Sequence, residues 1–326
     1  MTLRISCAFA PSTDTPRHIA LAEQLGYARA WCYDSPALYS DVWMTLALAA
    51  ERTTRIGLGP AVLVPSLRHP VVTAAAIATL HDLAPGRVAA AMGTGFSGRY
   101  VLGQRRMPWR DVEAFGRTLV ELLAGKTTRW EGQSVRLLER EAVPVPLLVA
   151  ADGPKGRAVA AELGQGIFVT SPPGELTGLP DWRAMMVFGT VLDDGEPLDS
   201  EHVWDAAGYH VAMVLHALYE QGATEALDQL PGGEQWRTAM DALAPDVRHL
   251  ALHERHLLGV NDHDAEVVRA NLGLLPSVSL TGTAEHVAAG ARALAETGLT
   301  ELVYQPCGPS IPDELERFRA AVEDVA

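Results

Sequence analysis

The amino-acid sequence predicts an α/β protein, a (β/α)8 TIM barrel with a helical insertion before the last strand. Eight short apolar runs alternate with helical segments, and several of these runs lack the polar–apolar alternation of a strand with one solvated face. Continuous apolar runs are typical of parallel strands covered on both sides. Parallel neighbours require a crossover between them, so eight such units in 326 residues favour one barrel over two doubly wound sheets.

Each predicted strand has recognisable boundaries. The first is followed by Thr15-Pro16, a typical helix start with proline at the first helical position, and the last precedes a helix beginning near Pro312. We expect one domain over residues 1–326. The predicted strands are 3–10, 28–34, 55–64, 87–93, 145–151, 166–171, 185–192 and 301–307.

Two stretches interrupt the alternation. Residues 126–144 carry the turn signal Glu131-Gly132 between β-prone pieces, which predicts a small excursion. Residues 200–275 consist mainly of helical patterns and are far too long for one crossover. Insertions after the carboxyl end of a barrel strand cover the active-site face, so we predict a helical lid.

Composition narrows the partners. Lys and Arg total 26 against 40 for Asp and Glu, and the resulting charge of −14 argues against nucleic-acid or anionic-membrane partners. No secretory signal or membrane span is recognisable, so we expect a cytoplasmic protein. Cys7, Cys32 and Cys307 lack metal-binding or C-x-x-C spacing and are predicted to be buried reduced thiols, with an active-site thiol as the alternative.

The stretch Gly93-Thr-Gly95-Phe-Ser-Gly98 has the spacing of a dinucleotide-binding loop. That loop requires a helix starting within it and an acidic residue about 20 positions later, at the end of the next strand. Here an irregular segment follows, the next helix is predicted near Asp111, and the later residues are helical. A Rossmann site is therefore disfavoured, and Gly98 is assigned to a loop.

Three longer segments resemble the bacterial-luciferase-like superfamily. They are "IGLGPAVLVPSLRHPVVTAAAIATLHDLAPGRVAAAMGTG", "VPLLVAADGPKGRAVAAELGQGIFVTS" and "GTAEHVAAGARALAETGLTELVYQPCGP". Within the superfamily they are most similar to the branch that uses the deazaflavin coenzyme F420, which includes methylene-tetrahydromethanopterin reductases and sugar-phosphate dehydrogenases. The resemblance covers residues 3–192 and 280–326. It implies a homodimeric enzyme that binds a flavin-type cofactor at the carboxyl rim of the barrel.

The resemblance implies positions for the cofactor ring. A non-proline cis peptide between Ala61 and Val62 would brace the back of the ring. Asp34, at the end of the second strand, matches an acid near the polar edge of the ring. At the end of the fourth strand the backbone would approach the ring closely, and the matching residues are Gly93, Thr94 and Gly95.

The resemblance also implies a phosphate seat at the end of the fifth strand. Pro154 at a first helical turn leaves amides available to an anion, which is an independent physical reason for this assignment. Thr170 and Ser171 match the hydroxyl pair that completes the seat. The residues of the seat on the fifth strand are Ala150, Ala151, Asp152, Gly153, Pro154 and Lys155.

Several positions depart from the family pattern. Ser35 stands where sugar-phosphate dehydrogenases have histidine, and Phe96 stands where they have a catalytic glutamate. Since phenylalanine cannot transfer a proton, glucose-6-phosphate is not the expected substrate. Leu63 and Val64 replace a polar pair usual in the reductases, so the cofactor remains either F420, which is favoured, or FMN.

His249, His253 and His256 would share one helix face, with His263 beyond. A polar helix face, a substrate site under the lid and a zinc site are all compatible with this spacing, and zinc is disfavoured because no further ligand motif is present. The catalytic candidates are Asp34, Ser35 and His256. The substrate candidates are Phe96, His253, Arg68 and His69, of which the last two could instead cap the following helix.

The predicted function is hydride transfer between F420 and a small organic substrate. An FMN-dependent monooxygenase is the first alternative, and a non-catalytic flavin-binding protein is the second.

Overall fold

Ten strands form in the computed structural model, which describes residues 3–172, 174 and 178–325. Eight of them lie where the sequence predicts the barrel strands, and β5 and β6 form a separate hairpin. The strands are β1 (Arg4–Phe9), β2 (Arg29–Cys32), β3 (Gly57–Pro60), β4 (Ala90–Met92), β5 (Thr128–Trp130), β6 (Gln133–Val135), β7 (Leu147–Ala150), β8 (Ile167–Val169), β9 (Arg183–Val187) and β10 (Glu301–Tyr304).

The eight-stranded sheet is a parallel, nearly closed barrel. Its strand order is β3-β2-β1-β10-β9-β8-β7-β4. The two outermost strands approach each other through isolated parallel bridges, Leu58 with Val88 and Leu63 with Met92. The predicted TIM-barrel class is therefore confirmed.

Fourteen α-helices lie within the described residues. They are α1 (Thr15–Gln24), α2 (Val42–Arg52), α3 (Pro70–Leu83), α4 (Phe96–Tyr100), α5 (Trp109–Leu123), α6 (Pro154–Leu163), α7 (Glu201–Glu220), α8 (Thr224–Asp228), α9 (Gly233–Ala242), α10 (Arg248–His253), α11 (Ala265–Asn271), α12 (Leu275–Val278), α13 (Ala284–Glu296) and α14 (Ile311–Ala321). No helix of the described chain is both long and apolar enough to span a membrane.

The chain forms two compact units. The first comprises Met1–Arg99, Arg105–Met186 and Leu294–Val303, and it holds the barrel strands except for the last residues of β9 and β10. The second comprises Tyr100–Gln104, Val187–Ala293 and Tyr304–Ala326. Residues 200–275 fall in the second unit and are largely helical, as the sequence predicts.

The core of the first unit contains a buried carboxylate. Glu301 accepts hydrogen bonds from the indole nitrogens of Trp31 (3.0 Å) and Trp182 (2.6 Å), and Arg4 lies 3.5 Å from the same carboxylate. The β2 residue Trp31 packs edge-on against Phe168 of β8. The hydrogen bond from Trp31 to Glu301 thus connects β2 with β10 inside an apolar core.

The second unit has its own apolar core around α7. Leu215 of α7 packs in one buried cluster with Trp236 of α9 and Val268 of α11. Asp264 is buried beside this cluster and accepts hydrogen bonds from the Trp236 indole (2.8 Å) and from His216 Nε2 (2.9 Å). The long insertion therefore buries enough apolar surface to form a folded body.

The excursion at 126–144 is the antiparallel β5–β6 hairpin, and positive φ angles at Glu131 (48°) and Gly132 (80°) form its predicted turn. The segment after Gly95, expected to be irregular, instead contains α4, so the assignment of Gly98 to a loop is wrong. A Cβ on Gly98 would lie 3.1 Å from Ser35 Oγ and 3.2 Å from Val64 Cγ2, so close packing explains the glycine.

Candidate functional site

Asp34 lies just beyond β2 and is paired with Arg68. The Arg68 Nη1 atom lies 2.8 Å from Oδ1 and 2.7 Å from Oδ2 of Asp34, whose side chain is almost completely buried. Burial raises the pKa of Asp34 above its ordinary value, although the Arg68 guanidinium opposes this effect. Arg68 also reaches Asp41 at 3.5 Å. The site therefore contains a buried ion pair that sequence reasoning did not find.

His69, the neighbour of Arg68, has a structural position. Its Nδ1 accepts a hydrogen bond from the Val71 backbone nitrogen at 3.2 Å and so caps α3, while its ring meets Trp130 edge-on. Of the two roles considered for the Arg68–His69 pair, helix capping therefore applies to His69 and not to Arg68.

The carboxyl ends of β3, β4 and β7 meet at a surface of small residues. The Ala61–Val62 peptide bond is cis, as the resemblance implies. A Cβ on Gly93 would lie 3.0 Å from Val62 Cγ1 and 3.2 Å from the Ala150 side chain. These ends are packed so closely that a side chain larger than hydrogen at position 93 would displace its neighbours.

Gly95 continues this surface toward Asp34. Its φ angle is +74°, and an added Cβ would lie 2.6 Å from Val64 Cγ1. The Val64 backbone nitrogen in turn lies 3.5 Å from Asp34 Oδ2. Thr94, between the two glycines, accepts a backbone hydrogen bond from Met107. Backbone of the β4 end and the Asp34–Arg68 pair thus belong to one continuous site.

Phe96 and Ser35 lie beside this surface on different elements. Phe96 begins α4, where the guanidinium of Arg106 lies 4.2 Å from the centre of its ring. Ser35 is half-buried and approaches Gly98. Both residues therefore adjoin the candidate site, and neither brings an ionisable group to it.

The predicted phosphate seat has the expected elements in contact. Helix α6 begins at Pro154, and the preceding Gly153, at the N-cap position, provides no side-chain cap. Thr170 and Ser171, just after β8, both face Asp152, and Ala151 bonds to β8 through its backbone nitrogen. Asp152, Gly153 and Lys155 are exposed.

The donors of this seat already have an acceptor. The Asp152 carboxylate receives the backbone nitrogens of Thr170 (2.9 Å) and Ser171 (3.2 Å) and the hydroxyls of Thr170 (2.7 Å) and Ser171 (3.2 Å). The residues predicted from the sequence thus lie together, but the sequence gave no reason to expect that Asp152 would accept hydrogen bonds from Thr170 and Ser171.

The histidines are arranged differently from the prediction. Helix α10 ends at His253, and Arg255 and Leu257 have positive φ angles, so His249, His253 and His256 do not share a helix face. A polar helix face is wrong for His253 and His256, because both are buried, with exposures of 1% and 6%. The predicted face shared by three histidines does not form, because α10 ends at His253, before His256.

The buried histidines form a cluster within the second unit. His253 Nε2 bonds to Glu220 at 2.9 Å, and its ring lies 5.3 Å from that of His256 and 6.3 Å from that of His216. Burial lowers the pKa of His256 well below its ordinary value, and the neighbouring His253 and His216 lower it further. His256 is therefore neutral at neutral pH. Within the described residues, no group of three His, Cys, Asp or Glu side chains is arranged to hold a metal ion.

A second polar cluster in this unit was not predicted. His202 contacts Glu196 through Nδ1 (3.0 Å) and Glu314 through Nε2 (2.8 Å). Glu314 also accepts hydrogen bonds from Thr190 (2.8 Å) and Tyr304 (2.9 Å). Glu196, His202 and Glu314 border a cavity of about 280 Å³. The sequence contained only a run of acidic residues near His202, which is a weak signal.

The three cysteines are buried and form no disulfide. Burial raises the pKa of the Cys307 thiol to about 12 and raises those of Cys7 and Cys32 as well. A thiol with a raised pKa is a poor nucleophile at neutral pH. The prediction of buried reduced thiols is confirmed, and the active-site alternative is not supported.

The fold and the site define a parallel (β/α)8 barrel whose candidate site lies at the carboxyl ends of its strands. The family described as luciferase-like monooxygenase matches residues 8–301, and the chain belongs to this family.

Known relatives agree with this placement. An F420-dependent glucose-6-phosphate dehydrogenase of Beutenbergia cavernae is 36% identical over 187 residues, which cover 51% of this chain and 54% of the relative. A 5,10-methylenetetrahydromethanopterin reductase of Archaeoglobus fulgidus is 29% identical over 164 residues, 47% of this chain and 48% of the relative. The chain thus spans about half the length of these curated relatives.

A solved structure shares the fold over nearly the whole chain. The coenzyme F420-dependent tetrahydromethanopterin reductase of Methanopyrus kandleri superposes with a TM-score of 0.68 at 20% identity, covering 99% of this chain and 98% of the other.

Proposed function

We propose that this protein is an oxidoreductase that transfers a hydride between the deazaflavin F420 and a small organic substrate. The observation that carries the proposal is the continuous surface from Ala61, Gly93 and Gly95 to the Asp34–Arg68 pair. A flat ring system needs a wall without protruding side chains and polar groups at one edge, and this surface supplies both. The curated relatives that use F420 favour it over FMN.

The residues have distinct proposed roles. The cis Ala61–Val62 segment and Gly93, Thr94 and Gly95 would contact the ring, with Asp34 at its polar edge. When bound, F420 would supply two-electron chemistry at ring position five, and the protein would supply the pocket and its polar groups. Of the catalytic candidates, Asp34 is best supported, because its raised pKa brings proton transfer closer to neutral pH. Ser35 and Phe96 are proposed to contact substrate.

The roles proposed for the histidines and for Arg68 need revision. His256 remains a catalytic candidate, while His253 is bonded to Glu220. We therefore propose that His253 orients the cluster and does not contact substrate. Arg68 is proposed to hold Asp34 in its charged form.

The experiment that tests this function is equilibrium binding of F420 and of FMN, followed by turnover of oxidised F420 with alcohols and aldehydes and of reduced F420 with enones. We expect F420 to bind and its absorbance to change on turnover. Tight binding of reduced FMN with substrate-dependent oxygen consumption, and no F420 binding, would establish the monooxygenase alternative. Binding without turnover on any substrate would favour the non-catalytic flavin-binding alternative.

We also propose that the protein is a cytoplasmic homodimer. The outer faces of α2 and α3, which pack together, expose Met44 (71%), Leu48 (53%) and Val72 (54%). Contiguous exposed apolar side chains are typical of interaction surfaces. The reduced, buried cysteines suit a reducing compartment.

A further inference from the structure

The Asp152 carboxylate occupies the position of an anion in the predicted phosphate seat. It accepts four hydrogen bonds, two from backbone nitrogens and two from hydroxyls of Thr170 and Ser171, at 2.7–3.2 Å. Peptide nitrogens and hydroxyls grouped in this way are a typical phosphate-binding set. An acceptor supplied by the chain itself therefore already satisfies the donors that a cofactor phosphate would use.

A phosphate can reach these donors only at a cost. In one case the phosphate displaces the Asp152 carboxylate, and the four hydrogen bonds to this charged acceptor are lost. In the other case the carboxylate stays, and the phosphate lies beside a second negative charge. Within the described residues, Gly153 provides no side-chain cap to the amide nitrogens at the start of α6, so these could also receive a phosphate. Asp152 and Gly153 are both exposed, so a phosphate arriving at α6 would still be close to the carboxylate.

The proposed ring-binding surface does not depend on Asp152. It consists of Ala61, Gly93, Gly95 and the Asp34–Arg68 pair, none of which bonds to Asp152 in the described contacts. Contributions of the ring and of the phosphate to cofactor affinity are therefore separable in this chain. A change at Asp152 should alter the second contribution and leave the first intact.

We propose that Asp152 is a specificity-determining residue that competes with the cofactor phosphate for its seat. As a result, phosphorylated and phosphate-free forms of the same chromophore bind this chain with similar affinity. The inference rests on the proposed function, since it requires that a flavin or deazaflavin ring binds at the barrel rim.

The test compares ligand pairs that differ in phosphate. Deazariboflavin 5′-phosphate, which carries the F420 ring, is paired with deazariboflavin, and FMN is paired with riboflavin, so that the members of each pair differ only in the phosphate. Fluorescence titration gives Kd for each ligand. The proteins are the wild-type chain, Asp152→Ser, and Glu51→Gln as a control that removes one exposed negative charge from α2. Asp152→Gly is a second variant in case the serine variant folds poorly, which circular dichroism would report.

We expect wild-type affinities within each pair to agree within about threefold. In Asp152→Ser the preference for the phosphorylated member should rise about tenfold or more, equivalent to about 1.4 kcal/mol. Glu51→Gln should leave the preference unchanged. A phosphate preference that rises by less than about threefold in both Asp152 variants would overturn the inference while leaving the proposed function intact. If no ring-bearing ligand binds to any of the proteins, the proposed function fails, and this inference fails with it.

Discussion

The charge balance of Asp34 depends on Arg68. Since Asp34 is nearly fully buried and the Arg68 side chain is 16% exposed, removing the cation leaves a carboxylate in low dielectric with a 3.5 Å contact to the Val64 nitrogen. We expect Arg68→Ala to lower the free energy of unfolding by about 3–5 kcal/mol. Urea denaturation at neutral pH measures this, and Asp34→Asn combined with Arg68→Ala should recover part of the loss. If the losses of unfolding free energy in the two single variants add up to the loss in the double variant, the two side chains are not coupled.

The same pair predicts a pH dependence. Because burial raises the folded-state pKa of Asp34 above 3.8, the folded state binds the proton more tightly than the unfolded state. The contribution of Asp34 to stability therefore falls as pH rises from 3.8 through the raised pKa. Arg68→Ala should steepen this decline, whereas Asp34→Asn should remove it. A decline in the Asp34→Asn variant equal to that of wild type would contradict the assignment.

His202 should give a pH dependence of the same sign as Asp34, but from a different cause. Its hydrogen bond to Glu314, despite partial burial, raises its pKa above 6.5, and Glu196 adds to the effect. The stabilisation is therefore complete below pH 6.5 and is lost as pH rises through the raised pKa, with a slope of at most about 1.4 kcal/mol per pH unit. Glu314→Gln should lower the His202 pKa, as NMR titration would show. An unchanged His202 pKa in this variant would exclude Glu314 as the main cause.

At the scale of single elements, a substitution at the end of β4 tests how closely the proposed ring-binding surface is packed. Gly95→Ala combines a φ of +74° with a Cβ 2.6 Å from Val64, so we expect a loss of about 1–3 kcal/mol in unfolding free energy. Gly153→Ala is the matched control, because its φ is −93° and a Cβ there meets nothing within 4 Å. Thermal and urea denaturation compare the two variants. Equal stability of both would show that the β4 end is more adaptable than its packing indicates.

The barrel strands were predictable because each is an apolar run whose flanking residues fix its ends. Pro16 and Pro154 lie in the first turns of α1 and α6, where their fixed φ suits a helix start. Helix α4 was not predictable, because Gly98 is a poor helix former and its conformation follows from close packing against Ser35 and Val64. Local sequence therefore predicted the elements whose ends are set by neighbouring residues. It did not predict α4, whose conformation depends on tertiary packing.

The candidate site also has features that were predictable from the sequence and features that were not. Asp34, Gly93 and Gly95 follow strands, so their position at the rim follows from the fold. Partners of buried polar groups do not, because His216 bonds to Asp264 48 residues away and His253 to Glu220 33 residues away. Whether Thr170 binds a phosphate or Asp152 is likewise a question of tertiary competition, which sequence spacing does not address.

At the scale of the whole molecule, the exposed apolar faces of α2 and α3 predict self-association. Burying Met44, Leu48 and Val72 would remove three large apolar side chains from water, each worth about 1.5–3 kcal/mol when fully buried. A charge at Leu48 would remain desolvated in such an interface, so Leu48→Glu should shift the protein from dimer to monomer. Light scattering coupled to size-exclusion chromatography measures the mass against the 34.9 kDa chain.

Leu138→Glu is the matched control for this interface. Leu138 is 79% exposed and follows the β5–β6 hairpin, not the α2–α3 face. We expect this variant to keep the dimer and Leu48→Glu to lose it, with far-ultraviolet circular dichroism unchanged in both. A monomeric wild type, or a dimer that survives Leu48→Glu and Met44→Glu together, would remove these helices as the interface. Because Met44 and Leu48 lie one turn apart on α2, the paired variant places two like charges on the same patch and should prevent the association most completely.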